Sequence, residues 1–326
     1  MTLARTWSVG LAGVHGAMVE VEVDMAAGVP HVALVGLPDA VVRQSVDRVR
    51  AAVVNAGASF PQRRITIGLS PASMPKQGSG FDLALAAAVL AASGAVPQES
   101  VDRLVLLGEL GLDGSVRAIR GVLPAVLAAA RAGHPQVVVP AVNAEEAALV
   151  DSVEVLAART LAEVVAHLAG RRRLTRHIRG PLPEPAPPPE LGDVVGQAAG
   201  RRAVEVAAAG GHHLFLAGPP GAGKTMLAER LPGLLPPLGE QAALEVTAIH
   251  SVAGTLPPGA PLVTRPTFEA PHHSATMAAL IGGGSGQIRP GALCRAHRGV
   301  LFLDESSDRK CPHDNSDRWH AGMPGG

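Results

Sequence analysis

The chain has 326 residues, enough for about two domains at ~150 residues each, and its 47% hydrophobic content against 17% charged excludes wholesale disorder. Its 28 basic and 28 acidic residues cancel, so no global field draws it to nucleic acid or anionic lipid; any DNA contact must come from a local patch or a ring of subunits. Two cysteines, Cys294 and Cys311, exclude a disulfide framework and lack zinc-site spacing, which fits a reduced, cytoplasmic protein.

Met1 to Gly16 lacks the charged-then-apolar pattern of a secretory signal. Val19, Val21 and Val23 alternate with Glu20, Glu22 and Asp24, the period of a half-buried strand. Val32 to Val35 and Ile65 to Leu69 are further short apolar runs. Asp39 to Ala56 carries Val42, Val46, Val49 and Val53 at helical spacing, with Gly57 as the stop. Leu83 to Ala92 is the longest apolar run, well short of the ~20 residues of a membrane span, so it reads as a buried helix and no membrane partner is expected. Leu104 to Leu107 and Val137 to Val139 read as strands; Leu123 to Ala132 and Ala144 to Val150 read as helices. Residues 1–170 are therefore expected to form one domain mixing α and β.

Residues 171–190 read as a linker. Arg171, Arg172, Arg173, Arg176 and Arg179 precede Pro181, Pro183, Pro185, Pro187, Pro188 and Pro189, a composition that gives a semi-rigid spacer with a solvated basic hinge. From Leu191 the pattern changes again. A strand at Leu214 to Ala217, a glycine-rich turn, a helix at Lys224 to Leu231 and a later strand at Val300 to Leu303 predict an α/β domain on a parallel sheet, residues 191–305. Residues 306–326 hold no Val, Leu or Ile and are expected to be disordered.

Gly218, Pro219, Pro220, Gly221, Ala222, Gly223, Lys224 and Thr225 fit G-x-x-x-x-G-K-[ST], between an apolar run and a helix. Glycines let successive N–H groups face phosphates, Lys224 reaches the β- and γ-phosphates, and the Thr225 hydroxyl meets Mg²⁺. Val300 to Leu303 runs into Asp304, placed to hold Mg²⁺ through water, and Glu305, placed to polarise the attacking water. Lys224 and Glu305 are thus the expected catalytic residues, Thr225 and Asp304 the expected metal ligands.

These two motifs resemble the AAA+ ATPase core. Asp193 to Gln197 resembles the stretch that AAA+ proteins set beside adenine, so the resemblance implies ATP contacts from Gly196 and Gln197 as well as from Gly218 through Met226. Arg265-Pro266, Ala270 to Ser274, Gly282 to Gly284, Arg289 to Gly291 and Ala296-His297 are similar to the magnesium-chelatase-like branch, and within it to the ComM (YifB) family. That implies an insert and hairpin in this region, cofactors ATP and Mg²⁺, DNA as partner, a homo-hexamer, and helicase or branch-migration activity in recombination and natural transformation. Glu269 departs from the pattern, which more often has a basic residue there. His272 and His273 point apart on either a strand or a helix and lack a third ligand, so a contact role is preferred over a metal. Gly282 to Gly286 reads equally as a mobile pore loop or an ordinary turn.

Residues 1–170 resemble the Lon-protease-like domain, a fold related to a domain of ribosomal protein S5. The carrying residues are Pro75 to Gly78, Gly108 to Leu110, Gly114 to Val116, Gly121, and Arg131 to Gly133 before Val137 to Pro140. An active protease of this type needs a serine activated by a lysine. The serine position falls on Gly80, one place after Ser79, and no lysine lies between Lys76 and Lys224. The domain is expected to be a catalytically inactive scaffold.

Three functions stand against one another: a ComM-type motor acting on DNA, a chelatase-like ATPase remodelling a protein or inserting Mg²⁺ into a porphyrin, and a nucleotide-binding product without turnover. The Lon-like resemblance argues against the second. The composition shift after Glu305, where Asp304-Glu305 runs into Ser306 and Ser307, gives weight to the third, since an AAA+ module normally continues past this point with sensor elements and an arginine finger. The expected architecture is an α/β chain: a Lon-protease-like α+β domain followed by an incomplete P-loop AAA+ domain.

Overall fold

The computed structural model describes residues 2–257, 260–283 and 289–304. The chain divides into two compact units. One holds the residues up to 186 with the described parts of 237–264 and 283–290; the other holds 187–236, 265–282 and the residues from 291 onward.

In chain order the first unit has strands β1 (Thr2–Ala12), β2 (His15–Ala26) and β3 (His31–Val35), helix α1 (Ala40–Asn55), β4 (Arg64–Ser70), α2 (Asp82–Ala92), β5 (Leu104–Leu106), β6 (Glu109–Leu110) and β7 (Val116–Arg117). It continues with α3 (Val122–Arg131), β8 (Gln136–Pro140), α4 (Ala144–Ala147), β9 (Glu154–Ala158), α5 (Leu161–Leu168) and β10 (Thr175–Arg176). Eight strands make one mixed sheet, β10-β9-β8-β5-β1-β2-β4-β3. The β1–β2, β2–β4 and β9–β10 pairs are antiparallel; β1–β5, β5–β8, β8–β9 and β3–β4 are parallel.

Both faces are covered at β5, β8 and β9, which explains the continuous apolar runs of these strands. Side chains alternate along a strand. Leu104, Leu106, Val138 and Leu156 therefore enter the core under α1, α2 and α5, while Val105, Val137, Val139 and Val155 enter the core under α3 and α4. Val19, Val21 and Val23 are fully buried, and on the outer side Arg5 pairs with Glu20 and Glu22. Asp39 caps α1 by accepting from Val42 N at 2.7 Å. The expected helix over Ala144 to Val150 shortens to the single turn of α4.

The basic stretch after residue 170 is not wholly a spacer. Thr175 and Arg176 add an edge strand to β9, and His177 N donates to Val155 O at 2.8 Å. Arg176 lies 3.9 Å from Glu154 and Arg179 lies 4.0 Å from Asp151.

Past residue 190 come α6 (Ala198–Gly210), α7 (Lys224–Ala228), α8 (Leu231–Leu234), α9 (Glu240–Ala253), β11 (Phe268–Glu269), α10 (Met277–Ile281), β12 (Gly282–Gly283), β13 (Arg289–Pro290), α11 (Ala292–Arg295) and β14 (Val300–Leu301). The helix expected over Lys224 to Leu231 breaks at Glu229 and Arg230. Pro232, with no N–H and a ring that crowds the carbonyl four residues back, restarts it as α8. β14 pairs in parallel with β11 alone among the described residues, and the ladder ends where β11 ends, with Phe302 N donating to Glu269 O at 2.9 Å. The strand expected at Leu214 to Ala217 does not form. Leu214 and Leu216 pack on a small core of Leu191, Val194, Val204 and Leu227, as an alternating strand would, but no strand pairs with this segment among the described residues. Phe215 is left 85% exposed.

Helix α9 belongs to the first unit. Ala248 enters the core under α3, Gly121 N donates to Ser251 O at 3.3 Å, and the Ser251 hydroxyl donates to Glu146. Glu146 Oε1 also accepts from Leu123 N at 2.9 Å. Burial raises the Glu146 carboxyl above its usual range, against these hydrogen bonds. Between the unfolded value near 4.3 and the raised folded value, the folded state therefore binds more protons than the unfolded state. Stability contributed by this group is present below that window and is lost as pH rises through it. Glu146→Gln keeps the acceptor and has no charge to bury. Denaturant midpoints from pH 4 to 8 should show the parent falling relative to Glu146→Gln as pH rises, and parallel curves would refute this.

Candidate nucleotide site

Residues 218–223 turn the chain from the segment 214–217 into α7. Gly221 has φ +78° and Gly223 φ +80°, left-handed conformations that a side chain strains. A Cβ on Gly223 would also crowd Met226 Cε at 3.1 Å and Gln197 Nε2 at 3.3 Å. Lys224 opens α7, and its ammonium folds back over the loop, donating to Gly218 O at 2.9 Å and Pro219 O at 3.1 Å. Thr225 is exposed, Met226 half-buried, and Leu227 anchors the helix in the small core.

Gln197 caps α6 in a left-handed conformation, and Gly196 before it is also left-handed. Gln197 Nε2 donates to Ala222 O at 2.7 Å, so the turn from Asp193 to Gln197 is tied to the phosphate-loop backbone. Sequence reasoning set this residue beside a base; the loop contact was not legible in it. Asp304 is half-buried in a turn after β14, and Glu305 lies outside the described residues.

The acidic Glu269 has a local partner. Its Oε2 lies 2.9 Å from Arg295 Nη2 and accepts from Nε at 3.1 Å, a two-pronged pair joining β11 to α11. Phe268 and Phe302 stack beside it with centroids 6.0 Å apart. His272 and His273 do not point apart as expected. They lie on a turn, neither strand nor helix, with ring centroids 4.0 Å apart, and His272 Nδ1 contacts Ser274 Oγ at 2.8 Å. Among the described residues no group of three or more His, Cys, Asp or Glu is arranged to hold a metal.

In the first unit the Ser79 hydroxyl donates to Glu109, not to a lysine. Lys76 is fully buried, its ammonium donates to Pro71 O, and burial pulls its pKa down. The Arg171, Arg172 and Arg173 side chains are exposed and make no hydrogen bond or ion pair among the described residues. No helix among those residues is long and apolar enough to cross a membrane.

A family model described as magnesium chelatase, subunit ChlI, matches residues 190–313, and one described as subunit ChlI of Mg-chelatase matches residues 21–143. An uncharacterized protein of Mycobacterium tuberculosis is 58% identical over 308 residues, covering 94% of this chain and 61% of the relative. Competence protein ComM of Haemophilus influenzae is 40% identical over 310 residues, again 94% of this chain and 60% of the relative. Lon protease 2 of Bacillus subtilis is 32% identical over 97 residues, 29% of this chain and 17% of the protease. The chain thus spans about three fifths of the length of the two longer-matching relatives.

Proposed function

The chain belongs to the ComM family of magnesium-chelatase-like proteins, and on that premise we propose that it binds Mg·ATP on residues 218–226 as an AAA+ type P-loop protein. The observation carrying this reading is the loop itself: two left-handed glycines lead into a helix whose first residue lays its ammonium across the loop mouth. The residues fit a polyphosphate. Lys224 would exchange its two carbonyl partners for phosphate oxygens, and the exposed Thr225 hydroxyl would face Mg²⁺. Asp304 would help to hold the metal, and Glu305, outside the described residues, would be the group that orients the attacking water. Gln197, bonded to Ala222 O, would brace the loop, with Gly196 beside it on the stretch expected to face adenine. When bound, ATP supplies a phosphoryl group whose transfer to water drives the motor.

A fluorescent ATP analogue titrated with and without EDTA tests this. Affinity should fall on metal removal, and Thr225→Ala should abolish most of that difference. Metal-independent binding by the parent would refute the assignment.

For the whole protein we propose action on DNA as a homo-hexamer, after the relative named competence protein ComM, with residues 1–170 as a Lon-protease-like scaffold without peptidase chemistry. The pairing of Ser79 with Glu109 supports the scaffold reading. Pairing of Arg176 and Arg179 with acids leaves Arg171 to Arg173 as the uncommitted cations of the basic stretch. Replacing these three by alanine should weaken DNA binding across sequences alike. The slope of log affinity against log salt should fall in size by about 2 to 3, at ~0.7–0.9 per phosphate contact. An unchanged slope would exclude this cluster.

A second reading, nucleotide binding without turnover, is favoured by one observation. The segment that should carry the loop as a buried sheet strand has no ladder partner among the described residues, and Phe215 stands exposed. Steady-state phosphate release at saturating Mg·ATP separates the two readings.

A further inference from the structure

A cavity of about 250 Å³ opens in the first unit, between β1, the turn ahead of α2, the stretch from Leu107 to Glu109 and the turn ahead of α3. Its lining includes the apolar Leu11 and Ile119. Its wall carries Ser79, Glu109, Arg120 and Arg289. Ser79 and Glu109 are bonded to each other. The two arginines come from separate segments, one from the turn into α3 and one from β13. Neither side chain makes a hydrogen bond or ion pair among the described residues.

Two arginines against one glutamate leave the wall with a formal charge of +1. A guanidinium presents a planar fork of donors that matches an oxyanion, and unpaired guanidinium groups converging on a concave site bind one more tightly than scattered surface charges do. Glu109 accepts and cannot itself meet an anion. It selects a ligand that also brings a hydroxyl or amino donor. The volume lies just below the ~300 Å³ lower end of drug-sized pockets, which limits the ligand to a small metabolite.

We propose that this cavity binds a small hydroxylated phosphomonoester. Arg120 and Arg289 hold the phosphate, and Glu109, oriented by Ser79, accepts from a ligand hydroxyl. No step of the nucleotide reading uses these residues, so the two assignments stand or fall separately.

The test uses the full chain carrying Lys224→Ala, so that the P-loop does not compete for phosphate. Inorganic phosphate, glycerol 3-phosphate and acetate are titrated calorimetrically at low salt. Glycerol 3-phosphate should bind about ten-fold tighter than inorganic phosphate, because its hydroxyls add bonds to Glu109, and both should exceed acetate. Arg120→Ala and Arg289→Ala should each weaken both phosphates by about ten-fold or more. Glu109→Gln should erase much of the preference for glycerol 3-phosphate while leaving inorganic phosphate bound. Arg63→Ala, an exposed arginine outside the cavity wall, should change nothing. The substituted arginines and Glu109 line an open wall, and thermal melts check that each variant folds. Absence of saturable phosphate binding, or binding indifferent to both cavity arginines, or equal loss in Arg63→Ala, overturns the proposal.

Discussion

Lys224→Ala is expected to lower ATP affinity by about 100-fold or more. The ammonium is the single cation of the phosphate-loop motif, and it stands at the loop mouth with two carbonyls as its partners. A hydrogen bond to a charged group contributes about 1.5–3 kcal/mol, and a lysine between the β- and γ-phosphates makes at least two. The variant should fold as the parent does, because the bonds it loses are exposed and Gly218 O and Pro219 O can turn to water. Thermal melts should therefore coincide while nucleotide titrations separate. Lys224→Arg is expected to rescue little, since a planar fork cannot replace a compact ammonium inside a tight loop. Equal ATP affinity in the parent and Lys224→Ala would remove the nucleotide site.

Much of the first unit was legible, and the gaps have physical causes. β2, β3, β4, β5 and β8 were read from period-two alternation or short apolar runs, and α1 from its valine spacing. β1 was not, because its buried face includes Thr6 and Ser8, whose hydroxyls donate to Ala84 O at 3.1 Å and Leu106 O at 3.0 Å. A hydropathy pattern misses a strand whose inward residues are polar but satisfied. Helix α5 carried an unused signal. Thr160 and Glu163 have capping-box spacing, with Glu163 N donating to Thr160 Oγ1 at 3.2 Å and Glu163 Oε2 accepting from Arg159 N at 2.8 Å. Helix α9 hid for the reason β1 did, since Thr247, His250 and Ser251 are among its buried residues.

The glycine turn over residues 218–223 was legible because its residue types are dictated by backbone conformation at Gly221 and Gly223, a local property. The strand expected before it does not form, because a strand is a property of two segments and none pairs with 214–217 among the described residues. The Glu269 partner, Arg295, and the Glu146 contact with α9 were equally invisible. Each joins segments whose proximity the sequence does not encode locally.

Asp82→Ala is expected to destabilise the first unit by about 3–5 kcal/mol, the usual cost of removing one member of a buried ion pair. Asp82 is fully buried at the start of α2. Its carboxylate accepts from Arg48 Nε at 2.8 Å, Arg48 Nη2 at 3.0 Å and Leu110 N at 3.1 Å, so one side chain ties α1, α2 and β6 together. The hydrogen bond to Asp82 raises the pKa of Arg48, while burial raises that of Asp82, so the carboxylate is the member held against its solvation preference. Removing it strands the Arg48 guanidinium and the Leu110 N–H together. Arg48→Met combined with Asp82→Asn removes both charges, nearly keeps the volume and leaves an acceptor for the Leu110 N–H. That pair should cost much less than Asp82→Ala and recover most of the loss, since desolvation opposes the native pair. Denaturant melts followed by Trp7 fluorescence in a Trp319→Phe background read the first unit directly. A cost below about 1 kcal/mol for Asp82→Ala, or a double variant less stable than either single one, would show that this pair does not join the three elements.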